Sequence, residues 1–403
     1  MPKKSNIWVL AIYYSLIFMG GAGFYSYIGL YYAQIHLNNA QIGIIASVGG
    51  LIGLLIQPHW GSLADRSSNK NVILQVALLL SAVTTWLLPL AGENFWLVIA
   101  ATAIMGVFAS AIHPLGDSIA LELAQREKFK FSTVRTVGSL GFALMAALAG
   151  KIFAVDISYI FLLFFLFRLG AFINVYFVPP VAGHARAKSA ARFMTLFQDT
   201  KLVVFYCYIF LLSSTFGFFN AFHAIYSKQI GIGTELVGLG IMAGSLSQFP
   251  FMIFFDKLYQ KLGIIKILLI SGLVYTLRWT LLVVGFGPAT IVPLWTLHGF
   301  NYIVLYLSLA EYIGRNAPPE LRTRGQVMNT MVLSGLSSIV GSSLGGAIAA
   351  AIGIRGTFIA SAVLCFIGVC GFLIVIRWLP AFRQSADQPG AIQELAICAK
   401  QTE

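Results

Sequence analysis

Residues 57–70 read Gln57-Pro58-His59-Trp60-Gly61-Ser62-Leu63-Ala64-Asp65-Arg66-Ser67-Ser68-Asn69-Lys70, the point where one apolar run ends and a short acid–base loop begins. Shifted by 191 positions, part of the stretch returns: Gln57 with Gln248, Asp65 with Asp256, Arg66 with Lys257 and Lys70 with Lys261. Both sets stand where an apolar run meets charge, so the chain reads as a duplicated half. Parallel repeats with a site between them are a transporter architecture.

Working outward, apolar windows broken by turn and charge signals predict spans near 7–33, 40–62, 72–91, 95–121, 132–154 and 157–180, then 201–227, 235–259, 264–285, 289–313, 325–350 and 355–378. A span needs ~20 mostly apolar residues. The first run outlasts the core of a signal peptide and reads as a retained helix. With 58% hydrophobic and 10% charged residues, against roughly 25% charged in soluble domains, a water-soluble core is excluded. The expected fold is an all-α membrane protein of twelve transmembrane helices in two pseudo-symmetric six-helix bundles. They fall at 1–180 and 201–380, with a basic linker at 181–200 (Arg186, Lys188, Arg192) and a polar, disordered tail at 381–403 containing Pro389 and Gly390.

The formal charge of +12 comes from 26 Lys and Arg, of which 20 lie in the termini and even-numbered connections. Three sit in odd connections (Lys151, Lys228, Arg355) and three inside spans (Arg135, Arg168, Arg278). The bias reports topology, with both termini cytoplasmic in an inner membrane, and not a nucleic-acid partner. Cys207, Cys365, Cys370 and Cys398 have no metal-ligand spacing, so neither zinc nor disulfides are expected. No phosphate loop or nucleophile–base pair points to an enzyme. No cofactor is expected, and the chain is expected to work as a monomer in the lipid bilayer.

Gly61-Ser-Leu-Ala-Asp65-Arg66, followed by Lys70, resembles the major facilitator signature between the second and third helices, and Gln57-Pro58-His-Trp-Gly61 is similar to the lactose permease branch of oligosaccharide:proton symporters and to the phenylpropionate permease branch. The resemblance runs from the first helix to the last. It implies that Asp117, in Pro114-Leu-Gly-Asp117, is the sugar-binding carboxylate, that Arg135, 18 residues on, is its partner, and that Phe142 stacks on the substrate ring. It also assigns Arg278 and His298, 20 residues apart, to proton handling. Departures accompany it: Asn301 stands where the family has its proton-carrying glutamate, Ser245 where it has another glutamate, Asn220 near an aspartate position, and Trp295 where a lysine would be. The implied activity is proton-coupled symport of a small polar organic solute. The alternatives are a uniporter, exchanger or exporter of an organic anion or drug-like solute, and, more distantly, a non-transporting membrane sensor.

A charge at the centre of a span costs ~2.5–3.5 kcal/mol or more, so an intramembrane ionisable residue has a partner and a function to account for. Asp117 and Arg135 flank one loop on antiparallel helices and come to comparable depth; they read either as a packing ion pair or as a pair the substrate splits. Arg168, among Phe164, Phe165 and Phe167, reads as a cavity cation or as one paired with a neighbouring carbonyl or acid. His298, with an ordinary pKa near 6.5, reads as a proton relay or as a ring bonded to a neighbouring helix. Glu311 could supply the missing carboxylate, or pair with Arg315 at i, i+4. Gly61, Asp65, Arg66 and Lys70, with Asp256 in the echo, read as a conformational latch or as topology signals alone. Most of the first-helix aromatics read as packing or interfacial belt. Gly341, Gly345 and Gly346 read as a close helix contact.

Overall fold

The structure, a computed structural model, describes residues 4–183, 197–285 and 291–383. Arg186, Lys188, Arg192, Pro389, Gly390 and Cys398 therefore lie outside the described residues, as does the expected tail beyond 383. The described chain is helical: α1 Lys4–Tyr25, α2 Ile28–Gln34, α3 Asn39–Asp65, α4 Lys70–Thr84, α5 Leu87–Ala91, α6 Phe95–Glu127, α7 Phe131–Val155 and α8 Tyr159–Val175. After the linker come α9 Thr200–Gln229, α10 Thr234–Leu246, α11 Gln248–Val284, α12 Ile291–His298, α13 Val304–Asn316, α14 Pro319–Thr330, α15 Ser337–Trp378 and α16 Pro380–Arg383. Among the described residues, 9 continuous helical stretches are long and apolar enough to cross a membrane. Two of these, Thr234–Val284 and Arg324–Trp378, double back through glycines with positive φ, Gly263 at 68° and Gly353 at 77°. Split there, and with the shorter apolar helix α8 included, the described residues make twelve apolar passages. Only glycine turns so tightly at no steric cost.

Local chemistry starts the helices where the sequence changes character. Asn38 and Gln41 form a reciprocal capping box on α3. Asn94 accepts from the amides of Trp96 and Leu97, and Asp199 from those of Lys201 and Leu202, each satisfying donors that a helix start leaves free. The structure also refines the expected spans. The first passage breaks at Ser26–Tyr27, the third at Thr85–Trp86, and the tenth and eleventh contain π-helical turns at Gly299–Ile303 and Met331–Leu336. The π turn Gly299–Ile303 begins directly after His298; π-bulges inside α-helices occur frequently at functional sites.

The two bundles meet along small residues. On the face away from the linker, Asn39 Nδ2 donates to Ala349 O at 3.1 Å. A Cβ on Gly43 would collide with the Ser342 carbonyl and come within 2.9 Å of Gly346 Cα, while Gly29 abuts Ala221 O, Gly150 abuts Thr234 O and Gly238 abuts Ala146 O at an ideal-Cβ distance of 2.5 Å each. Gly341 lies against Ser214 of α9 and Gly345 against Phe218, so this glycine stripe packs α15 on two neighbours at once. Toward the linker face the contact between α3 and α15 with the π turn before it thins from backbone to side chains, Leu54 Cδ1 standing 3.2 Å from where a Cβ on Gly335 would lie. At Gly50 a Cβ would meet only the Ile339 side chain, at 3.1 Å, and at Gly53 and Gly61 it would meet nothing within 4 Å. The bundles are thus clasped on one face and splayed on the linker face.

Candidate functional site

The splay leaves a cavity of about 770 Å³ between the bundles, within the ordinary range for a small-molecule site. His113 on α6 and Phe142 on α7 line it from the first bundle; Asn220 and His223 on α9, Trp295 and His298 on α12 line it from the second. Asp, Glu, Lys and Arg are absent from its described lining.

One turn toward the linker face from His113, Arg135 Nη1 donates to Asp117 Oδ2 at 2.8 Å, and Tyr14 Oη donates to Asp117 Oδ1 at 2.6 Å. The pair is not sealed off, with side-chain exposures of 49% for Arg135 and 29% for Asp117. Neither residue lines the described cavity. The carboxylate keeps both oxygens occupied by α1 and α7, so any substrate hydroxyl must compete with donors already in place.

In the second bundle, His298 stacks on Phe216 with ring centroids 4.9 Å apart and on Tyr302 at 5.8 Å, and its buried Nδ1 has no hydrogen-bond partner. Arg278 on α11 stands behind the cavity wall, with its guanidinium 4.5 Å from the Phe219 ring centre and 5.4 Å from that of Trp295. Trp295 fits there because Gly240 and Gly244 face it; a Cβ on Gly244 would come within 2.9 Å of its ring. Asn301 is fully buried in the π turn with both amide atoms unpartnered. Ser245 lines the cavity. Glu311 is not in this group: it accepts from Arg315 Nε at 2.6 Å near the linker end of α13.

The expected latch residues separate. Lys70 is 5% exposed, donates to Ser118 Oγ at 3.3 Å and pairs with Glu122 at 3.5 Å, tying α4 to α6. Among the described residues Asp65 and Arg66 form no ion pair, and Arg66 is exposed, as is Asp256. The start of the linker is stapled to this loop: Gly183 N donates to Ser67 O and Lys70 N to Val181 O, each at 2.8 Å. Substituting Gly183 with valine is expected to free that staple, since a Cβ there would strike the Ala64 and Asp65 carbonyls; faster proteolysis of the linker in the variant than in the wild type checks it.

Sequence reasoning missed Tyr14, His113 and His223. The two histidines were legible as mid-span ionisable residues, and His113 sits one turn before Asp117 on the same helix face. Tyr14 had no distinguishing signal among the aromatics of the first helix.

The sequence model described as the MFS_1 like family matches residues 7–360. The maltose permease of Geobacillus stearothermophilus is 25% identical over 381 residues, covering 92% of this chain and 94% of the permease. The raffinose permease of Escherichia coli is 23% identical over 336 residues, covering 77% of this chain and 78% of that one. Among solved structures, the nucleoside transporter NupG superposes with a TM-score of 0.82 at 15% identity, covering 93% of this chain and 99% of that chain, a likeness of fold.

Proposed function

From the premise that this chain belongs to the MFS_1 like family and is a secondary transporter, we propose that it takes up a small polar organic solute, sugar-like or an aromatic acid, by proton-coupled alternating access. The observation that carries this is the graded parting of α3 and α15, from backbone collision distance at Gly43 to open space at Gly53 and Gly61, which leaves one cavity reachable from one face. By the positive-inside rule the splayed linker face is the cytoplasmic one, so the conformation is inward-open. Asp117, Arg135 and Phe142 hold the solute. His298 carries the proton, with Arg278 behind it, while Glu311 is held by Arg315 and is a second choice. Gly61, Asp65, Arg66 and Lys70, with Asp256 on the other bundle, bias the two access states.

The test is a thermal-shift screen of the purified chain against sugars, aromatic acids and nucleosides, followed by uptake of any hit into proteoliposomes with acid outside. Accumulation above equilibrium supports the reading; a hit that binds but never crosses contradicts it. Arg135→Ala is expected to weaken binding of that hit about 10- to 100-fold, the range for one charge-assisted hydrogen bond, with insertion intact. Unchanged affinity would remove the pair from the site. Arg135→Lys should be nearly as damaging, because an ammonium cannot reproduce the guanidinium fork.

Asp65→Asn should slow turnover severalfold while leaving affinity within twofold. The carboxylate is unpaired in the inward-open state and is proposed to find its partner in the other state. Wild-type turnover in the mutant would reduce the loop to a topology signal. Asp256→Asn should be milder, since the second copy lacks the full motif.

A further inference from the structure

His223 is held as a hydrogen-bond acceptor with nothing to accept from. It lines the cavity from α9 and is 5% exposed. Its Nδ1 lies 3.2 Å from the carbonyl oxygens of both Phe219 and Asn220, one turn back on the same helix. A carbonyl oxygen can only accept, so Nδ1 carries the ring hydrogen and the neutral ring keeps its lone pair on Nε2. Nε2 is buried and has no hydrogen-bond partner among the described residues. A second hydrogen there would create a buried cation whose donor is equally unmet, so the lone pair stays.

Neighbouring rings hold the imidazole in this setting. Phe219 stacks on it with centroids 5.1 Å and planes 28° apart, and Trp295 meets it edge-on at 5.2 Å and 82°. Two residues earlier on α9, Ala221 O is the backbone atom against which Gly29 packs, so His223 stands beside the clasp, at the far end for a solute arriving from the linker face. Serines elsewhere on the wall have the same polarity. Ser110 Oγ donates to Val107 O at 2.8 Å and Ser342 Oγ to Ser338 O at 2.7 Å, each spending its hydrogen on its own helix and keeping its lone pairs. The amides of Asn220 and Gln248 can present either sense, so the fixed polar atoms of the wall are acceptors.

We propose that His223 is a specificity-determining residue whose Nε2 accepts a hydrogen bond from an O–H or N–H donor of the bound solute and selects for that donor whatever body carries it. A buried polar atom left unpaired costs more than the same atom paired gains. A site built around such an atom therefore rejects the analogue that lacks the matching group. The role differs from that of His298: a nitrogen locked in one protonation state recognises a donor and does not relay a proton. This rests on the transport reading above.

The experiment uses the full chain, with isotope-labelled histidine, in lipid nanodiscs. His223→Phe keeps a ring between Phe219 and Trp295 but removes the acceptor, and the nitrogen resonances it deletes are those of His223; His223→Gln serves instead should the phenylalanine variant fail to fold. Nuclear magnetic resonance of the wild type is expected to place the hydrogen on Nδ1 and none on Nε2, and a hydrogen on Nε2 overturns the proposal before any solute is added. Phenol against anisole, and indole against N-methylindole, then differ by one donor hydrogen each. At least one donor is expected to shift the Nε2 resonance and to bind about fivefold or more tightly than its methylated partner, the reach of a single hydrogen bond, with that preference falling to about twofold or less in the variant. If neither donor shifts Nε2, or if the preference survives intact in the variant, the proposal is overturned. The two readings fail separately. Recognition through Nε2 without uptake of any screened solute contradicts the transport reading alone, whereas accumulation of a solute by a chain whose Nε2 ignores both donors contradicts this proposal alone.

Discussion

Replacing Gly43 with tryptophan is expected to hold the bundles open on the face away from the linker and to abolish turnover. In the structure a Cβ at this position would collide with the Ser342 carbonyl and come within 2.9 Å of Gly346 Cα. Both obstacles are backbone, which cannot rotate aside as a side chain would, and α3 and α15 approach so closely there because both contribute glycine. An indole cannot be accommodated without parting the helices. The state clasped at that face is then raised in free energy, while the state with that face open is unaffected, and the population moves accordingly. With Asn220→Cys as a reporter in the cavity, a membrane-impermeant maleimide should label Gly43→Trp at least tenfold faster from the outer face than it labels the parent. Gly53→Ala, where a Cβ meets nothing within 4 Å, should leave labelling and turnover near the parental values. Equal outer-face labelling of the tryptophan variant and its parent would mean that the clasp is not a gate.

The second large effect is the loss of proton-driven accumulation in His298→Gln. Coupling needs a group whose protonation differs between access states, and most carboxylates near the cavity are already engaged. Asp117 is held by Arg135 and Tyr14, and Glu311 by Arg315. Asn301 is an amide and cannot titrate. His298 lines the cavity, stacked on Phe216 and Tyr302, with its inner nitrogen unpartnered and therefore able to exchange bonds when the bundles rock. His223 is held differently, its Nδ1 lying 3.2 Å from the carbonyls of both Phe219 and Asn220 on its own helix. The glutamine variant should let solute equilibrate at near-normal rates yet fail to accumulate it with acid outside. His113→Gln and His223→Gln should keep accumulation above equilibrium. A His298→Gln protein that still concentrates solute would make the ring structural and move the search to the other two histidines.

Much of this was readable before any coordinates, for identifiable reasons. The membrane passages follow from apolar windows because the bilayer demands them, and the caps Asn38, Asn94 and Asp199 mark where their helices begin. The Asp117–Arg135 pair was legible because two intramembrane charges on consecutive antiparallel helices have little else to meet. The glycine stripe of α15 was legible as a contact, but its partners on α9 and α3 were not, since a single sequence does not say which helices are neighbours. The π turn after His298 left no signature in residue type. The cage around Arg278 draws on α9, α11 and α12, and its rings look individually like ordinary core. Lys70, expected in the latch, ties α4 to α6 from a buried position in this conformation, a contact that depends on Ser118 and Glu122 of a distant segment and that the sequence alone does not reveal.

The central claim is that the two bundles rock about the cavity, closing one face as they open the other, and distances across both faces test it most directly. With the native cysteines replaced, spin labels at Lys151→Cys and Glu235→Cys span the clasped face, where a Cβ on Gly150 would come within 3.2 Å of Glu235 Cα. Labels at Gln125→Cys and Lys261→Cys, both exposed, span the linker face. Pulsed electron paramagnetic resonance on each pair, in the otherwise native chain and in Gly43→Trp, should show the first distance lengthening and the second shortening together in the tryptophan variant. Both distances staying fixed, or both moving in the same sense, would contradict alternating access.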